Sequence, residues 1–148
     1  MADVVTPCVL LAIDPGQRTG WAISRPDKSY AFGTWELKGV GGSRSLALRD
    51  NLDSTLSRER YGRVAYEEPF QSQFRNAVRS LYHLEGEILS WCEWHRIPVC
   101  AYTPREIKAS VAGGNATKDR MMNVIRWLGY PVEDDHQADT MAQVLMMQ

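Results

Sequence analysis

Three carboxylates stand where they could meet. Asp14, Glu67 and Asp139 each lie at the end of a strand-like run or in the first turns of a helix-like one. Asp14 closes the apolar run Cys8-Val-Leu-Leu-Ala-Ile13 and opens a Pro-Gly turn, while Glu67 and Glu68 close Arg63-Val-Ala-Tyr66. Asp139 follows Asp135 and His136 by four and three residues, spacings that put all three on one helical face. Carboxylates drawn together in a water-poor place repel one another unless a cation holds them. An oxygen-dominated donor set suits Mg²⁺ or Mn²⁺ rather than Zn²⁺. Each acid also has a plain structural reading. Asp-Pro-Gly is a common turn sequence, Glu67-Glu68 could be a solvated strand end, and Asp134 or Asp135 could cap the last helix. Asp139 is harder to assign to the surface, because Ala138, Met141 and Ala142 accompany it on what should be the inward side.

The elements that must position these acids can be read from periodicity. The continuous apolar run over 8–13 suits a strand buried on both faces. Strands over 20–24 and 29–37 follow across short turns, which predicts an antiparallel meander. The glycine-rich stretch 40–43 is expected to be a mobile loop. A helix over 45–60 should turn Leu48, Leu52, Thr55 and Leu56 inward. A strand over 63–66 precedes a long helix over 73–95, whose apolar stripe leaves Arg75 and Arg79 on another face. After a strand over 98–102, Thr103 and Pro104 read as N-cap and N1 of a short helix ending near Gly113-Gly114. Helices over 117–128 and from Asp134-Asp135 to Gln148 complete the chain. This order predicts a mixed α/β sheet layered with helices. Sites in open α/β sheets gather outside the carboxyl ends of strands, so Asp14 and Glu67 would meet there if the first and fourth strands are neighbours.

With 148 residues, one domain over 1–148 is expected, and 44% hydrophobic with 24% charged residues is an ordinary globular mixture. No apolar stretch is long enough for a membrane span, and the start shows no basic segment before Cys8. A cytoplasmic protein without a membrane partner is the expectation. Cys8, Cys92 and Cys100 are odd in number and lack metal-ligand spacing, so they are expected to be buried, reduced thiols. A net charge of −1 is unlike a nucleic-acid binder, but the charges are segregated. The stretch from Gln71 to Leu84 carries Arg75 and Arg79 and no acid, and two divalent cations on the clustered acids would reverse the net sign.

Four motifs in order resemble those of RuvC-type Holliday-junction resolvases, nucleases of the RNase H-like superfamily. Leu11-Ala-Ile-Asp14-Pro-Gly-Gln-Arg-Thr-Gly-Trp21 is similar to the first, and Val64-Ala-Tyr-Glu67-Glu-Pro-Phe70 to the second. Thr103-Pro-Arg-Glu-Ile-Lys108, Gly113-Gly114 and Ala116-Thr-Lys118 resemble a third region where lysines approach DNA. His136-Gln-Ala-Asp139-Thr-Met-Ala142 resembles the last. The compactness of the chain resembles the bacteriophage-encoded branch.

The resemblance implies an RNase H-like mixed five-stranded sheet flanked by helices. It also implies an endonuclease that cuts four-way and other branched DNA, with two Mg²⁺ or Mn²⁺ ions per site. It assigns Asp14, Glu67 and Asp139 to the metal set, with His136 as fourth member and Asp135 as its competitor. Phe70 matches an aromatic that stacks at the junction, although Pro69 beside it departs from the bacterial pattern. Lys108 and Lys118 match basic residues at the DNA, Lys118 as a catalytic charge, and Arg75 and Arg79 are candidate phosphate contacts. A two-fold junction implies a homodimer, with Trp91 and Trp94 as candidate contacts. A phage-like member acting in a bacterial host cell would need no branch-migration motor. Two other readings compete. Asp14, Gly16, Thr19 and Gly20 could form the phosphate loop of an actin- or sugar-kinase-type ATP module, though that architecture needs two related domains. A junction-binding protein that has lost cleavage is the other.

Overall fold

The apolar run near the start of the chain becomes the middle of a sheet. In a computed structural model that describes residues 8–69 and 75–148, β1 (Val9–Asp14) lies between β2 (Arg18–Ser24), antiparallel to it, and β4 (Tyr61–Glu67), parallel to it. β3 (Tyr30–Glu36) extends the meander and β5 (Val99–Tyr102) pairs in parallel with β4, giving the five-stranded order β3-β2-β1-β4-β5. The mixed sheet expected from the element order is therefore present, with the first and fourth strands adjacent.

Alternation along the strands divides the core into two layers. Leu11 and Ile13 of β1 and Val64 and Tyr66 of β4 face α1 (Gly42–Leu56) and α2 (Arg75–Trp94), where they pack with Leu48, Leu52, Leu84, Ile88 and Trp91. Ala12 and Ala22 face the other layer, built by α3 (Pro104–Val111), α4 (Lys118–Trp127) and α5 (Asp135–Met147) around Ile107, Met121, Ile125, Ala138, Met141 and Ala142. Alanines on both sides of that contact let α5 lie close to the sheet.

Several expectations need correction. The helix expected over 45–60 begins at Gly42 and ends at Leu56, so Gly42 and Ser43 of the expected loop are helical. Gly39 and Gly41 take left-handed conformations just before it, at φ 87° and 56°. The fourth strand starts at Tyr61 rather than 63, because the buried Tyr61 side chain is part of the core. Of the cysteines only Cys92 is buried. Cys8 is exposed and Cys100 half-buried, since the first precedes β1 and the second lies on the edge strand β5. Trp91 is core, its indole N–H donating to Asp53 Oδ1 at 2.9 Å, which removes it as a surface contact; Trp94 is 85% exposed. Phe70 and the start of the expected 73–95 helix lie outside the described residues.

Candidate active site

Strand register brings the first two acids together. Ala12 pairs with Ala65 and Ile13 with Tyr66. Ile13 and Tyr66 both point into the α1/α2 layer, so Asp14 and Glu67, one step further along parallel strands, both point toward α5. Glu68, on the alternate face, is exposed, and its backbone N–H donates to Tyr102 O at 2.9 Å. Asp14 is only 9% exposed, at a turn closed by the Thr19 hydroxyl, which donates to Gly16 O at 2.7 Å.

The third acid comes from α5, and its placement depends on a glycine. Gly20 pairs with Asp14 across β1 and β2. A Cβ added there would meet the backbone O of His136 at 2.6 Å and its Cβ at 2.9 Å. No side chain fits between β2 and the first turn of α5, and that close approach sets His136 Nδ1 2.8 Å from Asp14 Oδ2. One turn on, Asp139 reaches Asp14 and Glu67: a ligand oxygen from each of the three lies within 4.8 Å of the other two. Asp134 caps the helix, its carboxylate accepting from the Gln137 backbone N–H at 2.8 Å and from the Thr34 hydroxyl at 3.2 Å. The cap is thereby tied to β3.

Electrostatics show that this arrangement is not at ease without a cation. Burial, then the charge of Asp14 and a hydrogen bond to it, push the Glu67 carboxyl up to about 10. Burial, then Asp14 and Asp135, push Asp139 up to about 7. The Lys108 ammonium opposes both shifts without overcoming them. The hydrogen bond to Asp14 raises His136, favouring an imidazolium whose Nδ1–H donates to the carboxylate. Three carboxyls, Asp14 buried and Glu67 and Asp139 half-buried, that converge on one point with oxygen donors and resist ionising together fit a hard divalent cation. Positive charge stands around them. Lys118, the first residue of α4 after the Thr117 cap, places Nζ 3.1 Å from Asp135 Oδ2, and this pairing raises the lysine. Lys108 is half-buried on α3, whose N-terminus is closed by a Thr103–Glu106 capping box.

No protein-family model matches the chain. A crossover junction endodeoxyribonuclease RuvC from Halorhodospira halophila is 33% identical over 147 residues, covering 92% of this chain and 87% of the relative. The chain belongs to the RuvC family. A RuvC from Oleidesulfovibrio alaskensis is 31% identical, covering 88% of this chain and 82% of that one. The fold is also that of solved RuvC structures. Thermus thermophilus RuvC in complex with Holliday junction substrate superposes with a TM-score of 0.74 at 22% identity, covering 91% of this chain and 89% of that chain. The expected RNase H-like architecture is therefore established.

Within this RuvC-family chain, the residues singled out in the sequence fall into groups. Asp14, Glu67 and Asp139 converge; His136 bonds to Asp14; Asp135 is engaged by Lys118. Among the described residues, the cluster of three contains neither His136 nor Asp135. Arg75 and Arg79 are exposed on the first turns of α2. Phe70 lies outside the described residues. Sequence reasoning missed the site's dependence on Gly20. The Thr19-Gly20 pair belongs to the first motif and also fits a phosphate loop, but the need for a bare backbone against α5 appears only with the helix in place. A groove of about 430 Å³ lined by Arg49, Asp53, Ser90, Trp91, Trp94 and His95 lies on the α1/α2 layer, on the other side of the sheet from the carboxylates.

Proposed function

We propose that the protein is a metal-dependent, structure-selective endonuclease that hydrolyses phosphodiester bonds in Holliday junctions and other branched DNA. The single observation that carries the reading is the convergence of Asp14, Glu67 and Asp139 at the carboxyl ends of β1 and β4 in a chain of the RuvC family. Asp14, Glu67 and Asp139 would hold the metal; the fourth ligand would be His136, once it has lost a proton from the Nε2 that its bond to Asp14 leaves free, rather than Asp135, which is committed to Lys118. Two Mg²⁺ ions, or Mn²⁺, would activate the attacking water and neutralise charge on the phosphate and the leaving 3′ oxygen. The chain's own groups do the rest. The carboxylates at the ends of β1 and β4 fix the site's position relative to the sheet, and His136 orients Asp14 through Nδ1. Lys118 supplies positive charge where negative charge accumulates in the transition state. Lys108, Arg75, Arg79 and an aromatic stack from Phe70 serve DNA binding.

A homodimer gives one site per strand of a two-fold junction, and the exposed Trp94 on α2 is a candidate contact. We further assign the chain to the small bacteriophage-encoded branch, acting in the cytoplasm of a bacterial host without a branch-migration motor. All four motifs fit compactly between Leu11 and Ala142. The test is incubation of labelled four-way, Y-shaped and linear DNA with the chain in Mg²⁺, in Mn²⁺ and in EDTA. Metal-dependent cutting of branched DNA should be lost in Asp14→Asn and Glu67→Gln while junction binding survives, since binding rests mainly on phosphate contacts. Binding without cutting by the unaltered chain would favour the cleavage-deficient reading. Hydrolysis of ATP with no action on DNA would favour the nucleotide module.

A further inference from the structure

We propose that Asp135 is a positioning residue whose task is to hold the Lys118 ammonium beside the carboxylate cluster. This inference rests on the nuclease reading above and names how one part of that site is kept in place. Three consecutive residues at the start of α5 have three separate engagements. Asp134 caps the helix through the Gln137 backbone N–H, Asp135 meets Lys118, and His136 meets Asp14. Helix capping therefore leaves the Asp135 carboxylate free for its Lys118 contact, Oδ2 to Nζ 3.1 Å.

Lys118 needs such a partner. Its side chain is 80% exposed on a flexible stem, and it opens α4, where a cation opposes the helix dipole. Left alone, the ammonium would spread over many rotamers in solvent. Asp135, whose side chain is only 26% exposed, draws it toward the N-terminus of α5. The negative charges of Asp139 and Asp14 act on Lys118 as well, so the tethered ammonium lies within electrostatic reach of the metal-binding acids. An exposed ion pair contributes little to folding, so the consequence of this one is placement. Loss of placement should appear in the rate of the chemical step and leave substrate affinity alone.

The experiment uses the full chain, a labelled four-way junction and single-turnover cleavage at saturating Mg²⁺, with junction binding measured separately in EDTA. Asp135→Asn should lower the cleavage rate about tenfold or more while changing the junction Kd by no more than about twofold. Thermal stability should change only slightly, as for the loss of any exposed ion pair, and the Mg²⁺ concentration for half-maximal rate should not rise. Asp135→Glu, which keeps the charge, should recover most of the rate. In a Lys118→Ala background, where the rate is already low, Asp135→Asn should have no further effect. Cleavage by Asp135→Asn at the unaltered rate overturns the proposal. So does faster cleavage, which would make Asp135 a restraint on Lys118. A loss that persists in the Lys118→Ala background and shifts the Mg²⁺ dependence overturns it too, by making Asp135 a metal ligand. An unaltered chain that cuts no branched DNA would instead bring down the nuclease reading, and this inference with it.

Discussion

Glu67 and Asp139 are acids whose surroundings resist their ionisation. Burial is the largest cause for both, and Asp14 adds to it. At neutral pH without metal, the fold must either keep a proton on Glu67, raised to about 10, or bear the repulsion of its charge. Either outcome costs stability, because each unit of pKa shift corresponds to about 1.4 kcal/mol between protonation states. Glu67→Gln keeps the shape and removes the charge. In EDTA at pH 7 it should stabilise the protein by on the order of 1–2 kcal/mol, a rise of on the order of 3–6 °C in Tm for a domain of this size. The same variant should show little of the further rise that saturating Mg²⁺ gives the unaltered chain, since a ligand of the folded state alone stabilises by mass action. Thermal melts of both proteins with and without Mg²⁺ check this. A lower Tm for Glu67→Gln in EDTA would mean that the carboxylate is satisfied by its protein partners and needs no cation.

At the scale of the element, the decisive contact is α5 on the sheet. Ala12 and Ala22 meet Ala138 and Ala142 there, and Gly20 leaves no room beyond the His136 backbone. Gly20→Ala should push α5 away from β2, costing about 1–3 kcal/mol as overpacking and separating His136 from Asp14. Cleavage should fall more steeply than stability alone explains when measured well below the melting temperature. Gly86→Ala is the control. It sits within α2 where a new Cβ meets nothing within 4 Å, and it should add up to about 1 kcal/mol by helix propensity with cleavage unchanged. Intact cleavage by Gly20→Ala would show that the helix can shift without harm to the site. This contact also marks how far the sequence could be read. The position of Asp14 and Glu67 at the carboxyl ends of strands made their meeting legible, and helical spacing put Asp135, His136 and Asp139 on one face. Local patterns carry both kinds of information. Which neighbour each α5 side chain meets depends on where α4 and β2 lie, so the Lys118–Asp135 pair and the role of Gly20 were not legible. The start of α1 was misread for a related reason: glycines at 41 and 42 look alike in sequence, yet only the first takes a left-handed conformation.

For the whole molecule, the site links folding, pH and metal. Glu67 and Asp139 are carboxyls raised in the folded state, to about 10 and about 7 from ordinary values of 4.5 and 3.8. Between the ordinary and raised values the folded chain binds more protons than the unfolded one, so stability falls as pH rises through that window. His136 is also raised, by its bond to Asp14; the stability it contributes is full below 6.5 and is lost as pH climbs through its folded value. All three act in the same direction across the neutral range. The lowered carboxyls, Asp27 and Asp135, gain or lose their contribution only below the ordinary aspartate value of 3.8. In EDTA, Tm should therefore decline steadily from pH 5.5 to 8.5. Saturating Mg²⁺ should remove most of this slope, because the metal-bound fold holds the acids deprotonated, as the unfolded chain does across this range. The pH at which the two curves part then marks where metal begins to replace protons as what holds the three acids together. Asp139→Asn should flatten the decline in EDTA and abolish the separation between the curves. Melts across this pH range, with and without Mg²⁺, provide the measurement. A Tm in EDTA that rises toward pH 8.5 would show that the acids are already ionised and compensated by the chain, and would remove the physical reason for a cation at their centre.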